Sequence, residues 1–121
     1  MRKTAVIAGQ GALPRLLAGA LTAQGAEFVL AEMEGFASDV PGIEPIRFRA
    51  ERLVPFLDHL AQIGIGQVVF AGAVRRPRLE PELIDPRTAT ILPPILGAIG
   101  KGDDALLRAV IGLFEDWDFA V

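Results

Sequence analysis

The side chains of this chain that could do chemistry are carboxylates, arginines and lysines, together with backbone amides. The sequence has no cysteine, one histidine (His59) and one serine (Ser38). This composition excludes disulfides, thiolate zinc sites and histidine-cluster metal sites, and it gives no serine–histidine pair close in sequence. Of the 12 basic residues, all but Lys3 and Lys101 are arginine. Arginine suits bidentate recognition of anions, although a GC-rich genome would produce the same bias.

Three glycine-containing loops are predicted at one edge of a sheet, at Gly9–Gly11, Glu32–Gly35 and Gly72–Arg76. In an open α/β sheet, ligands bind beyond the carboxyl ends of the strands. Glycine lets the backbone approach an anion, and a following helix directs its free amides there. The first loop begins a G-x-G-x-x-G fingerprint, but Pro14 replaces the third glycine. Anion binding and simple turn formation therefore both stay open.

Charged residues near these loops are the other candidates. Glu32 or Glu34 would either hold a ribose hydroxyl or be a solvated loop acid. The arginines after the fourth strand would grip a phosphate or form a solvated basic loop. Two acids follow a lysine before the last helix, where one caps helix amides and the pair could contact a divalent ion or sugar hydroxyls. The arginines after the fourth strand are Arg75, Arg76 and Arg78. The lysine and the two acids before the last helix are Lys101, Asp103 and Asp104.

Apolar runs predict strands at 4–8, 27–31, 44–48 and 67–71, with another beginning at 119. Helical spacing predicts three helices between them. Their predicted buried faces are Leu13, Leu16, Leu17, Ala20 and Leu21, then Leu53, Phe56, Leu57, Leu60 and Ala61, then Leu106, Ala109, Val110, Leu113 and Phe114. Residues 72–102 should add one or two short helices, with Pro93 or Pro94 at a helix start. Asp103 or Asp104 should cap the last helix.

Alternating strands and helices predict an α/β fold with a Rossmann-like, open, mostly parallel sheet and helices on both faces. The 121 residues suit one domain, and the short terminal strand suggests that a second domain follows. The net charge of -3 argues against a general nucleic-acid-binding surface. The mean hydropathy of +0.40 is high, yet polar residues and prolines interrupt every candidate membrane span. The sequence therefore predicts a cytoplasmic chain.

Three blocks of the sequence match the motifs of one known family. Residues 8–14 resemble its A-G-x-G-x-L-P start, and residues 70–77 resemble F-A-G-x-V-x-R-P. Leu92-Pro93 with residues 101–108 resembles L-P…K-G-D-D-A-L-L-R. On these blocks, over nearly the whole length, the chain resembles the LpxI-type UDP-2,3-diacylglucosamine pyrophosphatases of bacterial lipid A synthesis. It departs at Gln10, where a glycine is common.

The resemblance implies a hydrolase that cleaves the diphosphate of UDP-2,3-diacylglucosamine to UMP and 2,3-diacylglucosamine 1-phosphate. It implies magnesium as cofactor and a cytoplasmic location in a Gram-negative bacterium with peripheral contact to the inner membrane. Separately, the high mean hydropathy and the short terminal strand predict a homo-oligomer. The family's essential aspartate lies in its second domain, so this chain alone should be inactive. The implied substrate-binding residues are Gly9, Gln10, Gly11, Ala12, Leu13, Gly72, Arg76, Lys101, Asp103 and Asp104, the last two also as metal ligands.

Two other interpretations stay open. The chain could be a nucleotide- or dinucleotide-binding module without hydrolytic activity, although Pro14 argues against a dinucleotide fingerprint. It could also be a structural or interaction domain in which the glycines only form turns.

Overall fold

A computed structural model describes residues 3–72 and 79–121. It has four parallel strands in the order β3-β2-β1-β4. The strands are β1 Lys3–Ala8, β2 Phe28–Met33, β3 Ile46–Phe48 and β4 Ile65–Ala71. The helices are α1 Leu13–Ala23, α2 Leu53–Gln62, α3 Pro86–Ile99 and α4 Asp103–Asp116, with short 3-10 turns at Ala50–Arg52 and Pro81–Leu83. The predicted open parallel α/β sheet is confirmed.

Helices cover both faces of the sheet. Since successive side chains of a strand point to opposite faces, β1 contributes to two cores. Ala5 and Ile7 of β1 belong to a core with residues of α2 and α4. Val6 and Ala8 belong to a second core, against which Leu17 of α1 packs. Burial on both faces explains why the strands are continuously apolar and why the chain is hydrophobic overall.

Of the predicted last strand, the structure has a single β-bridge between Ala120 and Gln67. The amide of Val68 donates to the carbonyl of Ala120 at 2.7 Å, and the amide of Ala120 donates to the carbonyl of Gly66 at 3.0 Å. This parallel bridge lies on the side of β4 away from β1. It places the residues that follow α4 alongside β4.

The predicted buried face of α1 is partly wrong. Leu13 is 55% exposed and Leu16 is 66% exposed, whereas Pro14 and Ala18 are buried. The helix has apolar residues around most of its circumference, so periodicity alone could not choose the face that meets the sheet. Ala20, also assigned to the buried face, is exposed.

Two predicted helix starts are also wrong. The helix α3 begins at Pro86, with Asp85 as N-cap accepting from the amide of Thr88, so Pro93 and Pro94 lie inside the helix. The N-cap of α4 is Gly102, with a φ of +109°, so Asp103 and Asp104 are first-turn residues rather than caps. Glycine takes this position because a side chain would be strained at that φ.

None of the helices in the described part of the chain is long and apolar enough to cross a membrane.

Candidate ligand-binding site

The candidate site lies at the carboxyl edge of the sheet, where three strands end level with one another. Ala8 is paired with Glu32 of β2 on one side and with Ala71 of β4 on the other. The loops that follow β1, β2 and β4 therefore start side by side. This geometry brings together the starts of the three loops that the sequence assigned to one edge; Gly72 is the described residue of the third loop.

The loops after β1 and β4 touch through backbone atoms. The amide of Gly9 donates to the carbonyl of Ala71 at 2.7 Å. Gly72 has a φ of +94°, and a Cβ atom placed on it would lie 2.8 Å from the carbonyl oxygen of Gln10 and 3.0 Å from Cγ of Pro14. Side chains rarely adopt that φ, and no Cβ fits at those distances. Glycine at position 72 is therefore required for the contact between the two loops.

The loop after β1 presents backbone amides at the start of α1. Gln10, Gly11, Ala12 and Leu13 are all exposed, and Gly11 has a φ of +103°. Ala12 is the N-cap and contributes no side-chain capping bond. The first amides of a helix have no partner within the helix and carry its positive dipole end. An anion such as a phosphate can accept hydrogen bonds from them.

Glu32, at the end of β2, is buried with 4% of its surface exposed. One carboxylate oxygen accepts from the amide and the hydroxyl of Ser38, both at 2.8 Å. The other accepts from Nε of Arg47 at 3.1 Å. Burial raises the pKa of Glu32, but the hydrogen bonds from Ser38 and Arg47 outweigh it and the pKa is lowered overall. The interpretation as a solvated loop acid is therefore wrong for Glu32. Glu34 is exposed, as that interpretation expects.

The loop of residues 34–42, between β2 and β3, is also tied to the first turn of α1. The guanidinium of Arg15 donates to the backbone carbonyl of Asp39 at 3.4 Å and pairs with its carboxylate. Together with the Ser38–Glu32 bonds, this pair places the loop 34–42 beside the exposed amides of the first loop. Sequence reasoning missed Arg15 and Ser38, because a contact between residues 24 positions apart leaves no local signal.

The segment Lys101–Asp104 lies on a different element, between α3 and the first turn of α4, and both acids are exposed. Asp104 pairs with Arg108 one turn later in α4. Within residues 3–72 and 79–121, no three histidine, aspartate or glutamate side chains converge as a metal site would require. Arg76, the remaining predicted site residue, lies outside the described residues, as do Arg75 and Arg78.

A second buried acid, Glu51, follows the end of β3. It is 5% exposed and accepts from Nη2 of Arg49 at 3.4 Å and from the amide of Glu80 at 3.2 Å. Burial raises its pKa, but the hydrogen bonds outweigh this and the pKa is lowered overall. These bonds join the 3-10 turn after β3 to the chain that leads into α3, so Glu51 has a structural role.

Comparison with known proteins gives two findings. A family model described as the LpxI N-terminal domain matches residues 3–121. A curated protein of Caulobacter vibrioides, "UDP-2,3-diacylglucosamine pyrophosphatase LpxI", is 35% identical over 138 aligned positions. The alignment covers 100% of this chain and 44% of that protein. The chain therefore spans less than half the length of the curated relative it matches.

Proposed function

The chain belongs to the family of LpxI N-terminal domains, and we propose that it is the phosphate-binding domain of a UDP-2,3-diacylglucosamine pyrophosphatase. In this proposal the whole protein hydrolyses the diphosphate of UDP-2,3-diacylglucosamine in lipid A biosynthesis. The products are UMP and 2,3-diacylglucosamine 1-phosphate. A second domain that follows residues 1–121 and carries the catalytic group stays a prediction, as do a cytoplasmic location and a Gram-negative source.

One observation carries the proposal: the contact of Gly72 with the loop Gly9–Gln10. It holds the loops after β1 and β4 together and supports the turn that leads to Gly11 and the uncapped start of α1. Hydrolysis of a diphosphate requires that its negative charge be stabilised and its phosphorus positioned. In the proposal, the amides of the exposed residues Gly11, Ala12 and Leu13 supply that stabilisation, and the charges of Arg76 and Lys101 add to it.

Magnesium belongs to the proposal as a cofactor held jointly with the substrate. Asp103 and Asp104 offer carboxylate oxygens, the donor type that Mg²⁺ prefers. Two acids on one helical turn supply fewer ligands than Mg²⁺ takes, so the ion would need phosphate oxygens and water as its other ligands, and Asp104 would have to exchange its pairing with Arg108 for the ion. When bound, the ion would neutralise charge on the diphosphate.

The alternative is a dinucleotide-binding module without hydrolytic activity. Such domains use an acid near the end of the second strand to hold a ribose hydroxyl. In this chain the acid at that position, Glu32, already accepts from Ser38 and Arg47. This use of Glu32 favours the pyrophosphatase over a NAD-dependent enzyme.

The proposal is tested first by ligand-dependent thermal unfolding of this chain with UDP, NAD or NADP. A ligand at 100 times its Kd should stabilise the chain by about 2.7 kcal/mol. Stabilisation by UDP alone supports the proposal, and stabilisation by NAD or NADP alone supports the alternative. An absence of any shift would favour a structural domain. UMP release should be detected with the full-length protein and not with these 121 residues.

Gly11→Val gives a sharper test of the amide site. Its φ of +103° makes any side chain strained, but no atom of the described residues lies within 4 Å of a Cβ at this position. The valine should therefore project into the space assigned to the ligand, and UDP affinity should fall more than stability. Gly25→Val is the matched control, since it has a φ of +70° and similar free space among the described residues, at the other end of α1. Equal UDP affinity in the two variants would remove Gly11 from the site.

Surface association completes the proposal. Contacts of this kind would bury exposed leucines, of which α1 has two and α3 and α4 have one each. We propose that the protein forms a homo-oligomer and touches the inner membrane peripherally. Light scattering of the chain and flotation with anionic lipid vesicles test the two separately, and a monomer that stays with the soluble fraction contradicts both. The leucines are Leu13, Leu16, Leu96 and Leu107.

A further inference from the structure

We infer that Glu32 is a positioning residue for the nucleoside end of the substrate, acting through Ser38 and the loop 34–42. This inference rests on the proposed function and adds a specificity element to the same site. Glu32 itself does not contact the substrate. Its carboxylate holds the loop that forms the wall beside the first glycine loop.

The attachment of the loop to Glu32 is strong because the carboxylate is buried. Ser38 donates two hydrogen bonds of 2.8 Å to the same carboxylate oxygen. A buried carboxylate without such donors would be costly, so the loop and the acid stabilise each other. The third donor, Arg47, comes from β3 and has a side chain 70% exposed. The loop bonds and the β3 bond can therefore be removed independently.

The position of the loop assigns its role. Glu32 is level with Ala8, from which the chain enters the phosphate-binding turn. Arg15 ties Asp39 to the first turn of α1, so the loop is fixed on both sides of the gap between β1 and β2. In dinucleotide-binding Rossmann folds the diphosphate lies at the helix after β1 and the ribose extends towards the end of β2, and we place the nucleoside of the UDP group in the same direction. The loop 34–42 is the element that the nucleoside meets there.

The experiment compares Glu32→Ala with Glu32→Gln and Arg47→Ala. The glutamine keeps an oxygen that can accept from Ser38, and the Arg47 variant removes only the bond from β3. The Kd of the chain for UMP and for inorganic pyrophosphate is measured by calorimetry. In the full-length protein, KM and kcat are measured separately. Circular dichroism verifies that each variant is folded.

Glu32→Ala should raise the Kd for UMP and the KM for the substrate about tenfold, the change given by about 1.4 kcal/mol of lost preorganisation. Its kcat and its affinity for pyrophosphate should stay close to wild type, because only the nucleoside wall has moved. Glu32→Gln should restore most of the UMP affinity, and Arg47→Ala should retain it. A purely structural role of Glu32 would weaken pyrophosphate and UMP binding alike.

A folded Glu32→Ala protein with wild-type UMP affinity would overturn the inference, as would an equal loss in Arg47→Ala. If Glu32→Ala does not fold, Ser38→Ala decides: weaker UMP binding supports the inference and unchanged binding overturns it. Wild-type protein that binds neither UMP nor pyrophosphate would reject the proposed function itself. Wild-type binding with an unaffected Glu32→Ala rejects the positioning role alone.

Discussion

Replacing Gly72 with alanine should open the contact on which the site depends. The added Cβ would lie 2.8 Å from the carbonyl oxygen of Gln10 and 2.9 Å from the carbonyl carbon of Gly9. Both are backbone atoms, so a side-chain rotation cannot relieve the clash. Holding alanine at a φ of +94° adds backbone strain.

The magnitude has two parts. A non-glycine residue in a sparsely populated backbone region costs about 1–3 kcal/mol. Overpacking against a rigid neighbour costs about 1–3 kcal/mol more. Because a domain of ordinary size has about 5–15 kcal/mol of stability, Gly72→Ala should remain folded but markedly weakened.

Gly64→Ala isolates the strain term. Gly64 has a φ of +87°, and no atom of the described residues lies within 4 Å of its Cβ position. It follows α2 and precedes β4, so it lies at the opposite edge of the sheet from Gly72. Urea unfolding should show Gly72→Ala to be less stable than Gly64→Ala by about 1–3 kcal/mol. UDP affinity should fall only in Gly72→Ala. Equal stabilities together with equal UDP affinities would refute the loop contact as the basis of the site.

Two further predictions concern the helical side of the molecule. Thr88 is fully buried, and its hydroxyl accepts from the amide of Val54 at 3.1 Å. In a urea titration, Thr88→Val should lower the free energy of unfolding by about 1–3 kcal/mol, because it leaves that amide unpaired. Thr90 is exposed, so the control variant Thr90→Val should change the free energy of unfolding by less than about 0.5 kcal/mol. The Arg87 guanidinium beside Asp58 lowers the pKa of that carboxyl. This pair stabilises the fold at pH values above the ordinary aspartate pKa, and the stabilisation is lost as the pH falls through the lowered pKa. The free energy of unfolding of Asp58→Asn should therefore fall less steeply with decreasing pH than that of the wild type. An unchanged dependence of stability on acidic pH would contradict the role of the pair.

The order of strands and helices could be predicted because burial on both faces of the sheet leaves a strong signal. Val68, Val69 and Phe70 form a continuous apolar run, which β4 contains. Gly25 and Gly64 follow the two helical runs, where a glycine typically ends a helix, and both have positive φ values just after α1 and α2. These signals are local, so no knowledge of the rest of the fold was needed.

The sequence contains the signal for the true start of α3, but two later prolines favoured a different start. Asp85 followed by Pro86 is the usual pairing of a capping side chain with a proline at the first helical position. Pro93 and Pro94 drew the predicted start later because proline inside a helix removes hydrogen bonds. Both prolines are exposed in α3. Packing of Leu92 and Ala98 in the protein interior keeps the helix continuous through them.

The role of Glu32 could not be predicted, because it depends on where the chain goes after the strand. The sequence offers an acid at the end of a strand, a position shared by ribose ligands and solvated loop residues. Its actual donors are Ser38, six residues later, and Arg47, fifteen residues later. Neither spacing belongs to a regular element, so only the folded loop determines which hydrogen bonds form.

The glycines of the site show most clearly what the fold adds to the motif. From sequence, Gly11 and Gly72 are equivalent, since each follows a strand and fits either a turn or a ligand contact. In the structure, Gly72 is enclosed by the backbone of the first loop, whereas a Cβ on Gly11 meets no atom of the described residues within 4 Å. A side chain at position 72 would therefore disturb the protein before any ligand arrives. A side chain at position 11 would occupy space outside the fold, where the amides of α1 are exposed. The two substitutions should consequently differ in kind, with Gly72→Ala lowering stability and affinity together and Gly11→Val lowering chiefly affinity.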